Sequence, residues 1–509
     1  MKSMKKILNI ALIISLTVGA NVSFAKSNAD GEKLTQKEEK IHIVKPSKDK
    51  TENKKTTIKK LKFTQKNKAK SSKEAEGMYE TKFPIIDSKI DFNDVTVPQE
   101  VSLDDCIKLA ITHHPTIMAA ISNAEIYKSR VGQAWSNYFP TFSAGVNYSR
   151  NDMLMTMGGA MARLIPQKYN MFYVPNLSAD MMLFDFGKTK AFADNAQKTY
   201  ESSRYDAETS IETVIYNVKV TYYNLIFAKI QKDVYAETVK DYELQLKQAR
   251  AYYDIGKKAK IDVTYAEYNL GKAQLNEIKA KNTLELAAVE LANAVGIPEL
   301  AGVVLTDELN TKEYRVEFEN LIDTAQNSRP SLLAAKKRMD ASEVAIRAAK
   351  RAYTPDIKGF ASYQYGGREI NNDYGYQVGV EMAYSNVNLM LLKKQVEEAT
   401  ANYKKYVADY EQEKQNVYLE VKSAYINLLN YYDSIRVSKL ALQAAKEQQY
   451  QAFRRYQVGL GDAIEFKDSE NTYLNARLDY YNTLLQYNIQ AADLERVIGA
   501  PIKESDITL

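Results

Sequence analysis

The sequence predicts a mainly α-helical protein with a small β part, in which long antiparallel coiled-coil hairpins carry four short strands. Three observations predict it. Two stretches, from about Lys188 to Ile255 and from about Leu389 to Val458, contain no proline and repeat apolar residues in threes and fours. Four shorter stretches alternate apolar and polar residues with period two, the mark of strands with one buried face. The chain also repeats itself, and each copy holds one long helix and two of the strands.

The N-terminus comes first. Lys2, Lys5 and Lys6 precede the apolar run Ile7 to Val18, and Ser23-Phe24-Ala25 offers small residues before a cut. Residues 1–25 therefore read as a secretion signal, too short and too quickly followed by polar sequence to span ~30 Å of hydrocarbon. Residues 26–83 are rich in lysine and poor in apolar residues, a composition that cannot bury enough surface to offset chain entropy. They read as a disordered basic extension. Export makes a nucleic-acid partner the wrong reading for it, and acidic lipid heads or cell-wall polymer the better one. The lone Cys106 excludes an internal disulfide.

The repeat divides the rest into units 84–300 and 301–509. Residues 216–298 align with 419–501 without a gap: Val218-Lys219 with Val421-Lys422, Tyr222 with Tyr425, Tyr253 with Tyr456, Gly256 with Gly459 and Gly296-x-Pro298 with Gly499-x-Pro501. The front of each unit aligns at a slightly different shift, with Ala110, Pro115, Tyr138 and Pro140 matching Ala325, Pro330, Tyr353 and Pro355. The change of shift falls where loop tips would lie, which tolerate length change. Each unit reads as helix, strand pair, long helix, break, helix. At 1.5 Å per residue each long helix reaches roughly 100 Å. The stripes Ile215, Val218, Tyr222, Leu225 and Tyr418, Val421, Tyr425, Leu428 read as packing seams.

The strands are expected at about 141–150, 176–186, 357–366 and 375–386. One face carries Phe142, Ala144, Val146, Tyr148, then Leu177 and Met181; the other carries Ser143, Asn147, Asp180, Gln377 and Glu381. Apolar-out and polar-in is the pattern of a barrel wall in lipid, with Asp180 and Glu381 toward the lumen. A barrel in a membrane must close, and closed barrels begin at about eight strands, so four per chain requires several copies. No later segment is apolar enough for a transmembrane helix.

These residues resemble the TolC-like outer-membrane efflux proteins, the outer-membrane factor family. Over about residues 100–501 the resemblance rests on Val101-Ser102-Leu103-Asp104-Asp105, His113-His114-Pro115, Tyr138-Phe139-Pro140, Leu183-Phe184-Asp185-Phe186-Gly187 and Tyr456-x-Val458-Gly459, in that order and within the duplication. It implies a homotrimer with a twelve-stranded barrel in the outer membrane and a tunnel of twelve helices in the periplasm. The implied function is the exit duct of a tripartite efflux pump or type I secretion system. The implied partners are a periplasmic adaptor, an inner-membrane transporter of the RND, ABC or MFS class, and outer-membrane lipid, without a cofactor or metal. Tips at Ile255, Gly256, Lys257, Val458, Gly459 and Leu460 would dock the adaptor. Glu465 and Asp468 match the family's acidic ring at the periplasmic gate, with Asp262 and Tyr456 as a linking pair.

The sequence departs from the family at four places: the basic extension 26–83 lies outside its pattern, Tyr384-Ser385-Asn386-Val387-Asn388 lacks the turn glycine, Gly461 replaces a basic gate residue, and the chain stops at Leu509 soon after the second Gly-x-Pro. The last departure implies no long C-terminal addition. An enzyme is disfavoured, since His42, His113 and His114 have no zinc spacing and neither a phosphate loop nor a nucleophile elbow is present. An exported coiled-coil structural or envelope-tethering protein is the other reading. It leaves four repeated alternating strands unexplained.

Overall fold

Ser102 ends a two-residue strand, β1 (Glu100–Val101), and starts helix α1 (Leu103–His113). Its hydroxyl accepts the Asp105 N–H at 3.3 Å while the Asp105 carboxylate accepts the Ser102 N–H at 3.4 Å, which satisfies two free donors of the first turn. Pro115 stops α1, because it has no N–H and holds His114 extended at φ −69°, ψ 122°. The same proline opens α2 (Pro115–Ser136). The unit continues as β2 (Thr141–Asp152), β3 (Lys168–Phe184), α3 (Lys188–Asp254) and α4 (Lys260–Val295). The second unit repeats this as β4 (Val304–Leu305), α5 (Phe318–Ser328), α6 (Pro330–Arg351), β5 (Asp356–Gly367), β6 (Asp373–Ala383), α7 (Leu389–Gln457) and α8 (Ala463–Ile498).

The computed structural model describes residues 100–152, 168–298, 304–309, 317–367, 373–384, 388–458, 460–461 and 463–501. The expected signal segment 1–25, the Lys-rich stretch 26–83 and Gly459 lie outside the described residues.

Each unit has its own apolar core at corresponding positions. In the first, Val218 and Ala110 are buried with Leu291 and Val295; in the second, Val421 and Ala325 are buried with Leu494 and Ile498. β1 and β4 pair in parallel, Glu100 with Val304 and Val101 with Leu305, and tie the start of the first unit to the start of the second. Asp307, beyond β4, accepts the Leu103 N–H at 2.8 Å and the Tyr222 hydroxyl at 2.8 Å. Small residues let α3 and α6 approach closely: Ala193, Ala207, Ala334 and Ala341 are buried there, and Ser202 and Asn195 donate to the Ala334 and Ala341 carbonyls. Glu201 accepts from Lys337 at 2.8 Å and Lys198 at 3.1 Å. Burial opposes its charge, but these ammonium donors prevail and hold its carboxyl down at about 2.

The repeated Gly-x-Pro has a physical cause in the way the helices end. Gly296 and Gly499 close α4 and α8 at φ 84° and 66°. A Cβ on Gly296 would stand 2.9 Å from the His114 Cα, and one on Gly499 would stand 2.8 Å from the Arg329 Cα. Each glycine is thus fitted against the proline break at the front of its own unit. The Leu183-to-Gly187 motif is likewise a joint: the buried Asp185 carboxylate accepts the N–H groups of Thr189 (2.6 Å) and Gly187 (3.1 Å) and the Tyr138 hydroxyl (2.8 Å). Burial works against the charge there, and those donors outweigh it and keep the carboxyl below its usual range. Phe186 and Gly187 take left-handed backbone at φ 54° and 82°. In the second unit Asn388 does this job differently, extended at φ −100° with its side chain accepting the Leu391 N–H at 3.1 Å.

The four main strands form one antiparallel sheet in the order β2-β3-β5-β6. Phe142, Ala179, Ala361 and Val378 are paired across it, as are Leu177, Tyr363 and Tyr376, so one face is apolar from edge to edge. Nothing among the described residues covers that face: Phe142, Tyr376 and Val378 are each at least 75% exposed. The opposite face carries Ser143, Ser178, Ser362 and Gln377 in one row, Asp180 between Thr141 and Phe360, and Glu381 opposite Lys358. Asp180 and Glu381 therefore stand on the polar face, both exposed. β3 starts well before the expected residue 176 and runs through Pro175. The proline is tolerated because the register with β5 slips between Tyr173 and Asn176, a position that needs no ladder hydrogen bond. Among the described residues no helix is long and apolar enough to cross a membrane.

Gly296→Ala is expected to lower stability by about 2–4 kcal/mol, combining left-handed strain with backbone overlap. Gly256→Ala, with open space around its Cβ, should cost only about 1 kcal/mol. Melting the two variants side by side checks the difference.

Candidate gate at the hairpin tips

The far end of α3 is closed by a glycine turn. Ile255 caps α3, the Lys257 N–H reaches back to the Tyr252 carbonyl at 2.9 Å, and Gly256 between them is left-handed at φ 70°. This is the six-to-one closure that a glycine permits. In the second hairpin the Leu460 N–H reaches back to the Arg455 carbonyl at 2.9 Å. Ile255, Val458 and Leu460 are exposed, Leu460 at 77%, and Ile261 and Ile464 extend the apolar surface beside them. Lys257 is exposed on the same turn.

Glu465 and Asp468 lie on one exposed face of the first turns of α8. Glu465 accepts from Arg455 at 2.7 Å, an exposed pair worth about 0–1 kcal/mol. Gly461 makes room for it, since a Cβ there would come within 3.1 Å of the Arg455 Cβ. The Asp468 carboxylate has no bonded partner among the described residues.

Asp262 and Tyr456 do not form the expected link. Asp262 is the third residue of α4 and turns back to accept the Ala259 N–H at 3.2 Å, because the free donors of a helix start attract a carboxylate. Tyr456 takes Lys258 instead: the ammonium bonds the hydroxyl at 2.9 Å and stands 4.1 Å from the ring centroid. On its other side Tyr456 stacks on Phe466, which is 4% exposed and also meets Phe453 at 5.3 Å. The link between hairpins is thus a cation on an aromatic stack.

Further up, α3 packs along α8 and the seam is tied by side chains from both hairpins. Lys467 reaches Asn269 and lies over the Tyr265 ring, Gln245 donates to Glu470, Arg477 pairs with Glu237 at 2.6 Å, and Lys219 pairs with Glu495. Glu470 is unusual among them. Its Oε2 is shut from solvent and accepts no hydrogen bond, and burial pushes its carboxyl up to about 7. None of these partners was readable from spacing, because the paired residues lie 198 to 276 positions apart. The one available signal was the repeat: Lys258 occupies the position that Gly461 holds in the second unit.

Among the described residues no group of three or more His, Cys, Asp or Glu could hold a metal ion. Cys106 is buried and its thiol pushed up to about 12 by that burial, so it is a packing residue.

Comparison with known proteins accords with this geometry. The family model described as Outer membrane efflux protein matches residues 106–297 and 321–500. The chain belongs to that family, and its place is the outer membrane with a large periplasmic helical portion. It is 23% identical over 418 residues to the Outer membrane protein TolC of Escherichia coli K12, covering 76% of this chain and 82% of that protein. It is 20% identical over 406 residues to the probable efflux pump outer membrane protein TtgC of Pseudomonas putida KT2440, covering 78% and 83%. In fold it is similar to the Campylobacter jejuni CmeC outer membrane channel, with TM-score 0.69 and 17% identity over 79% of this chain and 86% of that one. The open-state Neisseria gonorrhoeae MtrE channel gives TM-score 0.64 and 18% identity over 84% and 98%.

A double-mutant cycle with Lys258→Met and Tyr456→Leu, which removes the ring as well as the hydroxyl, is expected to show a coupling of about 1–2 kcal/mol, read from denaturant midpoints. Additive effects would mean that the cation and the ring do not act together.

Proposed function

We propose that three copies of this chain form the exit duct of a tripartite efflux pump or type I secretion system. Each copy contributes four strands to a closed barrel and the helices α3, α4, α7 and α8 to a periplasmic tunnel. One observation carries the reading: among the described residues the sheet has a bare apolar face and two unpaired edges, β2 and β6, which lipid does not tolerate unless a neighbour closes them. The helices support it. They pack in the order α4, α3, α8, α7, and the outer two carry exposed apolar stripes at coiled-coil spacing: Leu275, Ile278, Leu286 and Val289 on α4, and Leu419, Ile426, Val437 and Leu440 on α7. Such stripes fit one another between copies.

In this reading Asp180 and Glu381 face the lumen, the exposed apolar tips with Gly256 and Gly459 dock a periplasmic adaptor, and an RND, ABC or MFS transporter supplies the cargo. Glu465 and Asp468 of all copies crowd the narrow end and form a cation-attracting ring. An exported coiled-coil tether would not need the apolar sheet face, which counts against it.

Divalent cations should block current through the channel in a planar bilayer. Replacing Glu465 and Asp468 together by alanine should weaken that block by roughly tenfold or more and shift selectivity away from cations. A double variant with wild-type block would place the ring elsewhere.

A further inference from the structure

Of the acids in the seam between the hairpins, Glu470 has a buried carboxylate oxygen that accepts no hydrogen bond, whereas Glu237 and Glu495 are paired with Arg477 and Lys219. Glu470 sits on α8 about 10 Å above its start, and its partner Gln245 sits on α3 about 14 Å above that helix's end, so their bond crosses the seam just above the tips. One carboxylate oxygen is held by Gln245; the other is buried without a partner. Its repeat mate Glu267 has no such burden, being exposed and paired with Arg250 at 2.7 Å.

We propose that Glu470 is a gate-positioning residue, a proton-controlled clasp that holds the two hairpins together when its carboxyl is neutral and lets them part when it ionises. This rests on the reading of the hairpin tips as a gate. The groups facing Glu470 set the direction. From α3, Asp241 repels the ionised form, while Gln245 and the nearby Tyr242 favour it; on α8 itself Lys467 favours it, and its ammonium is shared with Asn269 and Tyr265 of α4. Arg477, about two turns along α8, is engaged by Glu237 and only partly offsets Asp241. Desolvation outweighs the favourable contacts, so the carboxyl titrates at about 7 rather than near its ordinary value of 4.5.

The sign follows from linkage. A carboxyl with a raised value in the closed seam binds its proton more tightly there than in water. The seam is therefore tightest below about 4.5 and loosens as pH rises through about 7. Ionised Glu470 gains water for its unpartnered oxygen only if α3 and α8 separate. The periplasmic mouth should accordingly rest more open in alkaline than in acid surroundings.

The test is resting conductance of the intact channel in planar bilayers from about pH 5 to about pH 8, for wild type and Glu470→Gln, with the melting profile of the same preparations over the same range. Wild-type conductance should rise by roughly twofold to tenfold across that range, and Glu470→Gln, fixed in the neutral form, should stay near the acid level throughout. Its melting temperature should also fall less with rising pH than that of wild type. A merely structural glutamate would give the variant an offset with the wild-type slope, and that result, or an unchanged profile in a conducting channel, overturns the proposal alone. Wild-type protein that carries no current at any pH overturns the channel reading, and the clasp with it.

Discussion

A sheet of four strands with both edges unpaired and one face bare cannot rest in hydrocarbon by itself. Each unpaired backbone group would cost several kcal/mol there. Everything else in the molecule is compatible with a single remedy, the meeting of β2 of one copy with β6 of the next. The joints below the sheet fix the angle at which helices leave it: Asp185 gathers three donors at the first exit, and Asn388 caps the second. The stripes on α4 and α7 continue the demand for neighbours along the helices.

Duplication gives the wall its regularity, and divergence between the copies gives it a working end. Gly296 and Gly499 seat against His114 and Arg329 in the same way, so the upper joints are equivalent. At the tips equivalence is lost. Asp262 and Glu465 are repeat mates, yet one caps its own helix and the other pairs with Arg455. Lys258 and Gly461 are repeat mates as well, and only the first has a side chain to lay across Tyr456. The second hairpin is thus tied to the first by a contact that the repeat does not reproduce, because Gly461 has no side chain to match that of Lys258.

Much of this was legible from residues alone. The helix spans and the strand alternation follow from local periodicity, and α3 and α7 end within a residue of where Gly256 and Gly459 suggested. The early start of β3 was not legible, because a bulge, a property of the pairing between strands, decides whether Pro175 can be tolerated inside it. The site was legible as a place and not as a set of contacts. Spacing brings Glu465 and Asp468 onto one face, but cannot say that Asp262 spends its carboxylate on Ala259, or that Lys258 reaches Tyr456. The repeat concealed Glu470 by making it look like the exposed Glu267; burial by the opposite hairpin, which no local pattern records, separates them.

If copies of the chain complete one another as proposed, the detergent-solubilised or nanodisc-embedded particle has the mass of three chains, as a single species that persists on dilution. A stable single chain that keeps its sheet intact in the bilayer would contradict it.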